Sequence, residues 1–312
     1  MAKSAKIQSV LIHGKALEEG TLDQIKEVLS TLFAHGVGMS LTQTFSDLLE
    51  ESGVNIDQYG LQSPKNEFQP DMVLSMGGDG TVLETASLDA VEGIPVLGIN
   101  TGRLGFLAHL PLEGASQALP SILEGAYVVE SRNRLEVDFP GVDFELGRHA
   151  LNEVTVHRRD VASMIRISVH RDGTFINRYW ADGLIVSTAT GSTAYSLSCG
   201  GPIVHPDSNA IVLNPIAPHN LNDRPLVIPS DGTLDIYAEG RDDHLMLTLD
   251  TRSHKVSAPA HFKVRRGQRP FLLVQLPGVD FIETVRRKLH FGMDGREGPS
   301  QGAAQENLND VR

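Results

Sequence analysis

The chain changes character once, near Gly125, and that change limits what it can fold into. Before it, strand and helix signals alternate. Ile7 to Ile12 is a β-branched run that reads as a strand, and Leu22, Ile25, Leu29, Leu32 and Phe33 recur at the spacing of one helix face. Met72 to Ser75 reads as a buried strand, Val82 to Val91 as a helix, Ile94 to Ile99 as a strand and Leu112 to Leu123 as a helix. Such alternation implies an α/β domain with an open parallel sheet and helices on both faces. From Tyr127 to Val274 the signals are short strands, punctuated by turns such as Arg171-Asp172-Gly173 and Ser230-Asp231-Gly232, with one helix-like exception in STAYSLSCGG. This predicts an all-β domain, a sandwich or layered sheet. The expected organisation is an α/β domain over 1–124, a β-rich domain over 125–275, a segment 276–295 that packs back on the first domain, and a polar, disordered tail over 296–312.

Composition excludes several function classes. The 312 residues carry a net charge of −12 and 12 scattered histidines. An acidic chain lacks the basic surface that general binding to nucleic acid or anionic membrane requires. The single cysteine, Cys199, rules out an intrachain disulfide and any multi-cysteine zinc site, and fits a reducing compartment. No apolar run approaches the ~20 residues that span a bilayer. The opening MAKSAKIQSVLIHG lacks the apolar core of a signal peptide. A cytoplasmic location is expected.

Chemistry concentrates in a few stretches. In MVLSMGGDGTVLETA a strand runs into Gly77, Gly78, Asp79, Gly80 and Thr81, then into a helix pattern. Strand, glycine loop and helix make a phosphate cradle, because glycines let backbone N–H groups approach an anion. Neither a Walker loop nor a dinucleotide fingerprint is present. Asp79 in such a loop can hold Mg²⁺, can act as a base toward an attacking hydroxyl, or can cap the helix. A second glycine loop, NTGRLGFLA, adds Arg103, a cation suited to phosphate. Asn152 and Glu153 interrupt an apolar alternation; they suit a ribose diol or adenine edge, or mark a strand end beside a turn. The run from Trp180 to Val204 is dense in hydroxyls and small residues, which suits either a flat ligand or a capped helix.

Taken together, these segments resemble the NAD kinases. The resemblance rests on Gly77 to Gly80, on GINTGRLGFL from Gly98 to Leu107, on Asn152-Glu153, and on Asp182-Gly183 leading to TATGSTAY. It implies transfer of the ATP γ-phosphoryl group to the 2′-hydroxyl of the adenosine ribose of NAD, giving NADP. Asp79 then takes the base position. Gly77, Gly78, Thr81 and Arg103 face phosphate. Asp79, Gly80, Asn152, Glu153, Trp180, Asp182, Thr193, Ala194, Tyr195, Ser196, Leu197, Ser198 and Ala217 take the NAD contacts. A divalent metal, with Mg²⁺ expected, and a homo-oligomer, dimer or tetramer, are implied as well. Two departures stand out: Ala189 replaces a family proline, and Phe291 stands where tryptophan is common. Rival readings are a lipid kinase of the diacylglycerol type and a non-catalytic NAD(P)-binding regulator; the phosphoryl donor could be ATP or polyphosphate.

Overall fold

The computed structural model describes residues 6–17, 20–61, 68–88, 91–102, 105–144, 147–159 and 164–290. Arg103, Phe291 and the expected tail over 296–312 lie outside the described residues. The first layer is a sheet of β1 (Ser9–Gly14), β2 (Gly38–Leu41), β3 (Met72–Met76), β4 (Val96–Asn100), β5 (Leu110–Pro111), β6 (Val128–Arg132) and β19 (Phe271–Gln275). Its order is β2-β1-β3-β4-β19-β6, with β5 also paired to β4. All pairings are parallel except that of β6, which runs antiparallel to β19. The expected open parallel sheet is thus mixed at one edge. Two strands that the sequence groups with the β-rich region, β6 and β19, belong instead to this first sheet.

Helices α1 (Leu22–Ala34), α2 (Gln43–Glu51), α3 (Asp79–Thr85) and α4 (Ala115–Leu123) cover the sheet. Strand alternation sorts the core into two faces. Met72, Leu74 and Met76 of β3 pack with Ile25, Leu29 and Leu32 of α1 and with Leu119 and Ile122 of α4. Val73, between them in sequence, packs on the other side with Val82 and Leu83 of α3, together with Leu107, Ala108 and Leu151. The helix expected over Val82 to Val91 starts three residues earlier, at Asp79, and ends at Thr85.

The remaining strands form two antiparallel sheets. One contains β7 (Leu135–Asp138), β8 (His149–Ala150), β10 (Ile165–Arg171), β11 (Thr174–Ala181), β15 (Thr233–Glu239) and β18 (Ala260–Arg266), in the order β11-β10-β15-β18-β7-β8. The other contains β9 (Glu153–Arg158), β12 (Gly183–Thr188), β13 (Ala210–Ile216), β14 (Leu226–Pro229), β16 (His244–Leu249) and β17 (Arg252–Ser257), in the order β14-β13-β12-β9-β16-β17. Ile167, Tyr179, Ile236 and Phe262 of one sheet and Val156, Leu184, Leu213 and Leu247 of the other share a single buried cluster. This is a sandwich, with inward apolar residues alternating with outward polar ones. The helix-like exception becomes a 3₁₀ turn over Thr190–Thr193 and a short helix α5 (Tyr195–Ser198). A last helix, α6 (Phe281–Leu289), forms a separate unit; Asp280 caps it by accepting from the Glu283 N–H, and three cations fill its final turn.

Candidate active site

Asp79 is the first residue of α3, directly after the glycine turn that ends β3. Its carboxylate reaches across to the second glycine loop. Oδ2 accepts from the N–H of Phe106 (2.7 Å), and Oδ1 from those of Leu107 (2.9 Å) and Ala108 (3.2 Å). A Cβ on Gly105 would lie 1.7 Å from Asp79 Oδ1, so only glycine lets the loop close on the carboxylate. Gly77 has φ of +154°, and a Cβ there would lie 2.1 Å from Thr81 Oγ1. The tight strand-to-helix turn therefore needs glycine at this position. Gly78 is the N-cap residue of α3, and Gly80 is exposed. The two glycine loops that the sequence singles out are in contact through Asp79.

Asn152 and Glu153 lie at the start of β9 and are both buried. The backbone N–H groups of Leu151 (2.7 Å), Asn152 (2.8 Å) and Glu153 (3.1 Å) all donate to the carboxylate of Asp250. The Asp250 N–H returns a bond to the Glu153 carbonyl at 3.0 Å. Asp250 occupies the turn between β16 and β17 with φ of +52°. Sequence reasoning misses it. The available signal is slight: an acid ending the alternating run LMLTLD, where a hairpin turn accepts Asp in the left-handed region.

Burial, and then the Asp250 charge, push the Glu153 carboxyl from the ordinary 4.5 up to about 8. Burial also pushes Asp250 up, against the three N–H bonds that favour its charged form. Asp250 has those donors, whereas Glu153 Oε2 has no hydrogen-bond partner among the described residues. The three N–H donors favour the charged form of Asp250, while burial and that charge favour the protonated form of Glu153.

Glu153 opens onto a cavity of about 380 Å³, which Asp182, Tyr195, Arg158 and Ile216 also line. The Asp182 carboxylate accepts from Arg158 Nη2 at 2.8 Å. Tyr195 is exposed, and its hydroxyl is pushed up by burial and by neighbouring Cys199. Ala217 follows Ile216, and the Ile216 carbonyl accepts the Asp182 N–H at 2.9 Å. Ala217 has φ of +43°, a left-handed conformation costly for alanine. Such strained residues collect at functional sites.

Most of the hydroxyl-rich run is scaffold. Thr188 Oγ1 donates to the Leu151 carbonyl (2.7 Å) and accepts from the Gly191 N–H (3.0 Å). Ser192 Oγ donates to the Ala189 carbonyl (2.7 Å) and accepts from the Val204 N–H (3.0 Å). Ser196 is buried and receives Asn214 Nδ2 on its carbonyl at 2.8 Å and on its hydroxyl at 3.2 Å. A Cβ on Gly191 would lie 2.2 Å from the Asn152 carbonyl oxygen, so this turn presses directly on the Asn152 backbone. Thr193 Oγ1 bonds back to the Thr190 carbonyl at 3.3 Å. Of the stretch Thr193 to Ser198, Tyr195 is the residue that lines the cavity. Trp180 lines a different hollow, of about 390 Å³, where the Arg166 guanidinium sits 5.6 Å from its ring centre. The cavity brings Glu153, Asp182 and Tyr195 together, Asn152 and Ala217 adjoin the lining residues Glu153 and Ile216 in sequence, and Trp180 lines the other hollow.

Residues 12–127 match the ATP-NAD kinase N-terminal domain, and residues 151–276 match the ATP-NAD kinase C-terminal domain. The NAD kinase of Cytophaga hutchinsonii is 36% identical over 287 residues, covering 91% of this chain and 98% of that protein. The NAD kinase of Flavobacterium johnsoniae is 38% identical over 293 residues, covering 92% and 99%. Among solved structures, yeast NADH kinase complexed with NADH superposes with a TM-score of 0.81 at 25% identity, covering 93% of this chain and 89% of that one. An NAD kinase from Archaeoglobus fulgidus in complex with ATP gives 0.71 at 26% identity, covering 90% and 98%. The chain belongs to the NAD kinase family.

Proposed function

We propose that this chain transfers the γ-phosphoryl group of ATP to the 2′-hydroxyl of the adenosine ribose of NAD, with Asp79 taking the hydroxyl proton. ATP-dependent phosphorylation of NAD is the activity of the family to which the chain belongs. The observation that carries the site assignment is Glu153, a buried acid with an unpartnered oxygen, opening onto a cavity. A group in that state needs hydroxyl partners, and a ribose diol supplies two. Asn152, Asp182, Tyr195 and Ala217 complete the dinucleotide side. Gly77, Gly78 and Thr81 take the phosphate side, with Arg103 added from its place in the second glycine loop of the sequence.

Asp79 has a second reading with its own support. Its three N–H bonds make it the tie between the two glycine loops, a role that needs no proton transfer. The two roles are compatible, since fixed orientation is what a general base requires. The donor set suits an ion that arrives on nucleotide phosphates. Among the described residues no three acids, histidines or cysteines converge to hold a metal. Mg²⁺ commonly binds through substrate phosphates and one or two carboxylates, and there it neutralises phosphate charge.

A cytoplasmic homo-oligomer completes the reading; no described helix is long and apolar enough to cross a membrane. The test is turnover with ATP and NAD, with the product identified by mass and by the position of the new phosphate. Equal amounts of ADP and 2′-phosphorylated NAD are expected. Phosphorylation of diacylglycerol in place of NAD, or NAD binding without turnover, would overturn the assignment. Sedimentation of the full chain checks the oligomer.

A further inference from the structure

We propose that Asp250 is a positioning residue for dinucleotide binding: its carboxylate gathers the backbone N–H groups of Leu151, Asn152 and Glu153 and so aims the Asn152 and Glu153 side chains at the ribose. This deepens, and rests on, the assignment of the Glu153 cavity to NAD. Asp250 sits partly exposed in the β16–β17 turn, on the wall of the Glu153 cavity, and its three acceptor contacts of 2.7, 2.8 and 3.1 Å fall on consecutive residues. Its own N–H closes the ring back onto the Glu153 carbonyl.

The alternative is a plain turn residue. A φ of +52° favours Gly, Asn or Asp, and a hairpin turn needs nothing further from it. The contacts decide against that. A turn residue would satisfy its own hairpin, whereas this carboxylate spends its acceptors on a segment 97 to 99 residues away in sequence.

Asp250 also sets the electrostatics that Glu153 meets. The titratable and charged groups around Glu153 are Asp250 from the β16–β17 turn, Asp182 before β12, His157, Arg158 and Arg159 at the end of β9, and Tyr195 and Cys199 at α5. Asp250 is the charge that acts on Glu153 most strongly. Removing its charge lowers the pH at which Glu153 ionises, and removing its acceptors frees the backbone of residues 151–153.

The experiment compares Asp250→Asn and Asp250→Gly with the unaltered full chain, using NAD and ATP as probes. Both substitutions suit the left-handed turn, so unfolding midpoints check that the fold is kept. Positioning predicts that the KM for NAD rises by about 10-fold or more while kcat changes less, because uniform binding is lost. Glycine should exceed asparagine, which keeps one acceptor oxygen. The pH dependence of NAD affinity should move to lower pH in Asp250→Asn. Folded variants with the KM and pH profile of the unaltered chain would overturn the proposal. If neither variant folds, Asp250→Ser, whose shorter side chain reaches fewer of the three N–H groups, takes their place: an unchanged KM for NAD overturns the proposal, and a raised one supports it. An unaltered chain that neither binds nor phosphorylates NAD would instead refute the functional assignment itself.

Discussion

Two carboxylates in this molecule do the same mechanical job in different layers. Asp79 accepts three consecutive backbone N–H groups, Phe106 to Ala108, at the edge of the α/β layer. Asp250 accepts three consecutive N–H groups, Leu151 to Glu153, at the β16–β17 turn of the sandwich. Each needs a glycine beside the segment it shapes: Gly105 against Asp79 and Gly191 against Asn152. The difference is the neighbour. Asp79 and Asp250 are both partly exposed. The charge of Asp250 is felt by a second acid, Glu153, which is buried beside it. One geometry thus serves the proposed base in one place and the proposed dinucleotide contacts in the other.

The comparison is broken most sharply at Asp79. Asp79→Asn keeps the size and one acceptor but cannot take a proton, so kcat should fall by about 10²–10⁴ with NAD binding largely kept. Retention of more than a third of turnover at neutral pH would leave Asp79 as a tie and remove it as the base.

The next effect is on stability and has a sign fixed by linkage. The Glu153 carboxyl stands at about 8 in the folded protein against an ordinary 4.5. Below the lower value both states hold the proton. Between the two the unfolded chain releases a proton that the folded one keeps, so stability falls as pH rises and levels off above the upper value. Glu153→Gln does not titrate, and it should match the unaltered chain at low pH and exceed it by roughly 2–4 kcal/mol at high pH. Denaturant midpoints at pH 4.5 and pH 8.5 measure this; a gain equal at both would show that Glu153 is not held protonated.

Smaller effects separate the two glycines. Gly105→Ala should drive the Asp79 carboxylate from its place and lower kcat, whereas Gly191→Ala should displace the Asn152 backbone and raise the KM for NAD. Each introduces an overpacked methyl group costing about 1–3 kcal/mol. If both variants changed the same kinetic constant, the division of labour between the two clamps would fail. The smallest effect is expected at Ala189, whose φ of −59° already matches proline. Ala189→Pro should raise stability by about 0.4–1 kcal/mol through the unfolded chain, with activity unchanged. A lower thermal midpoint would mean that the turn over Asn152 cannot take the ring.

What was legible in the sequence follows the same physics. The Gly77 to Thr81 loop could be read because its requirement is local: close packing and an unusual φ leave glycine as the residue that fits. Asn152 and Glu153 could be read because they break an alternation. Asp250 could not, because its work is done through backbone N–H groups distant in sequence, and the chain displays only an acid in a turn. The hydroxyl run announced its density but not its direction; Thr188, Ser192 and Ser196 spend their hydroxyls inward, while Tyr195 meets the cavity. Strand signals for β6 and β19 were visible, yet a strand's pattern records which residues are buried and not which sheet buries them.

The return of β19 to the first layer has a consequence for biosynthesis. Among the described strands, β6 pairs with β19 and with no other, and β19 lies between β6 and β4. A chain emerging from the ribosome therefore holds β6 without a partner until Phe271–Gln275 appears, after the whole sandwich has been translated. Non-local pairing of this kind is slow and leaves strand edges exposed meanwhile. The nascent α/β layer must wait for its neighbour to be made before it can be finished, so a stall or truncation within the sandwich costs the molecule both layers at once.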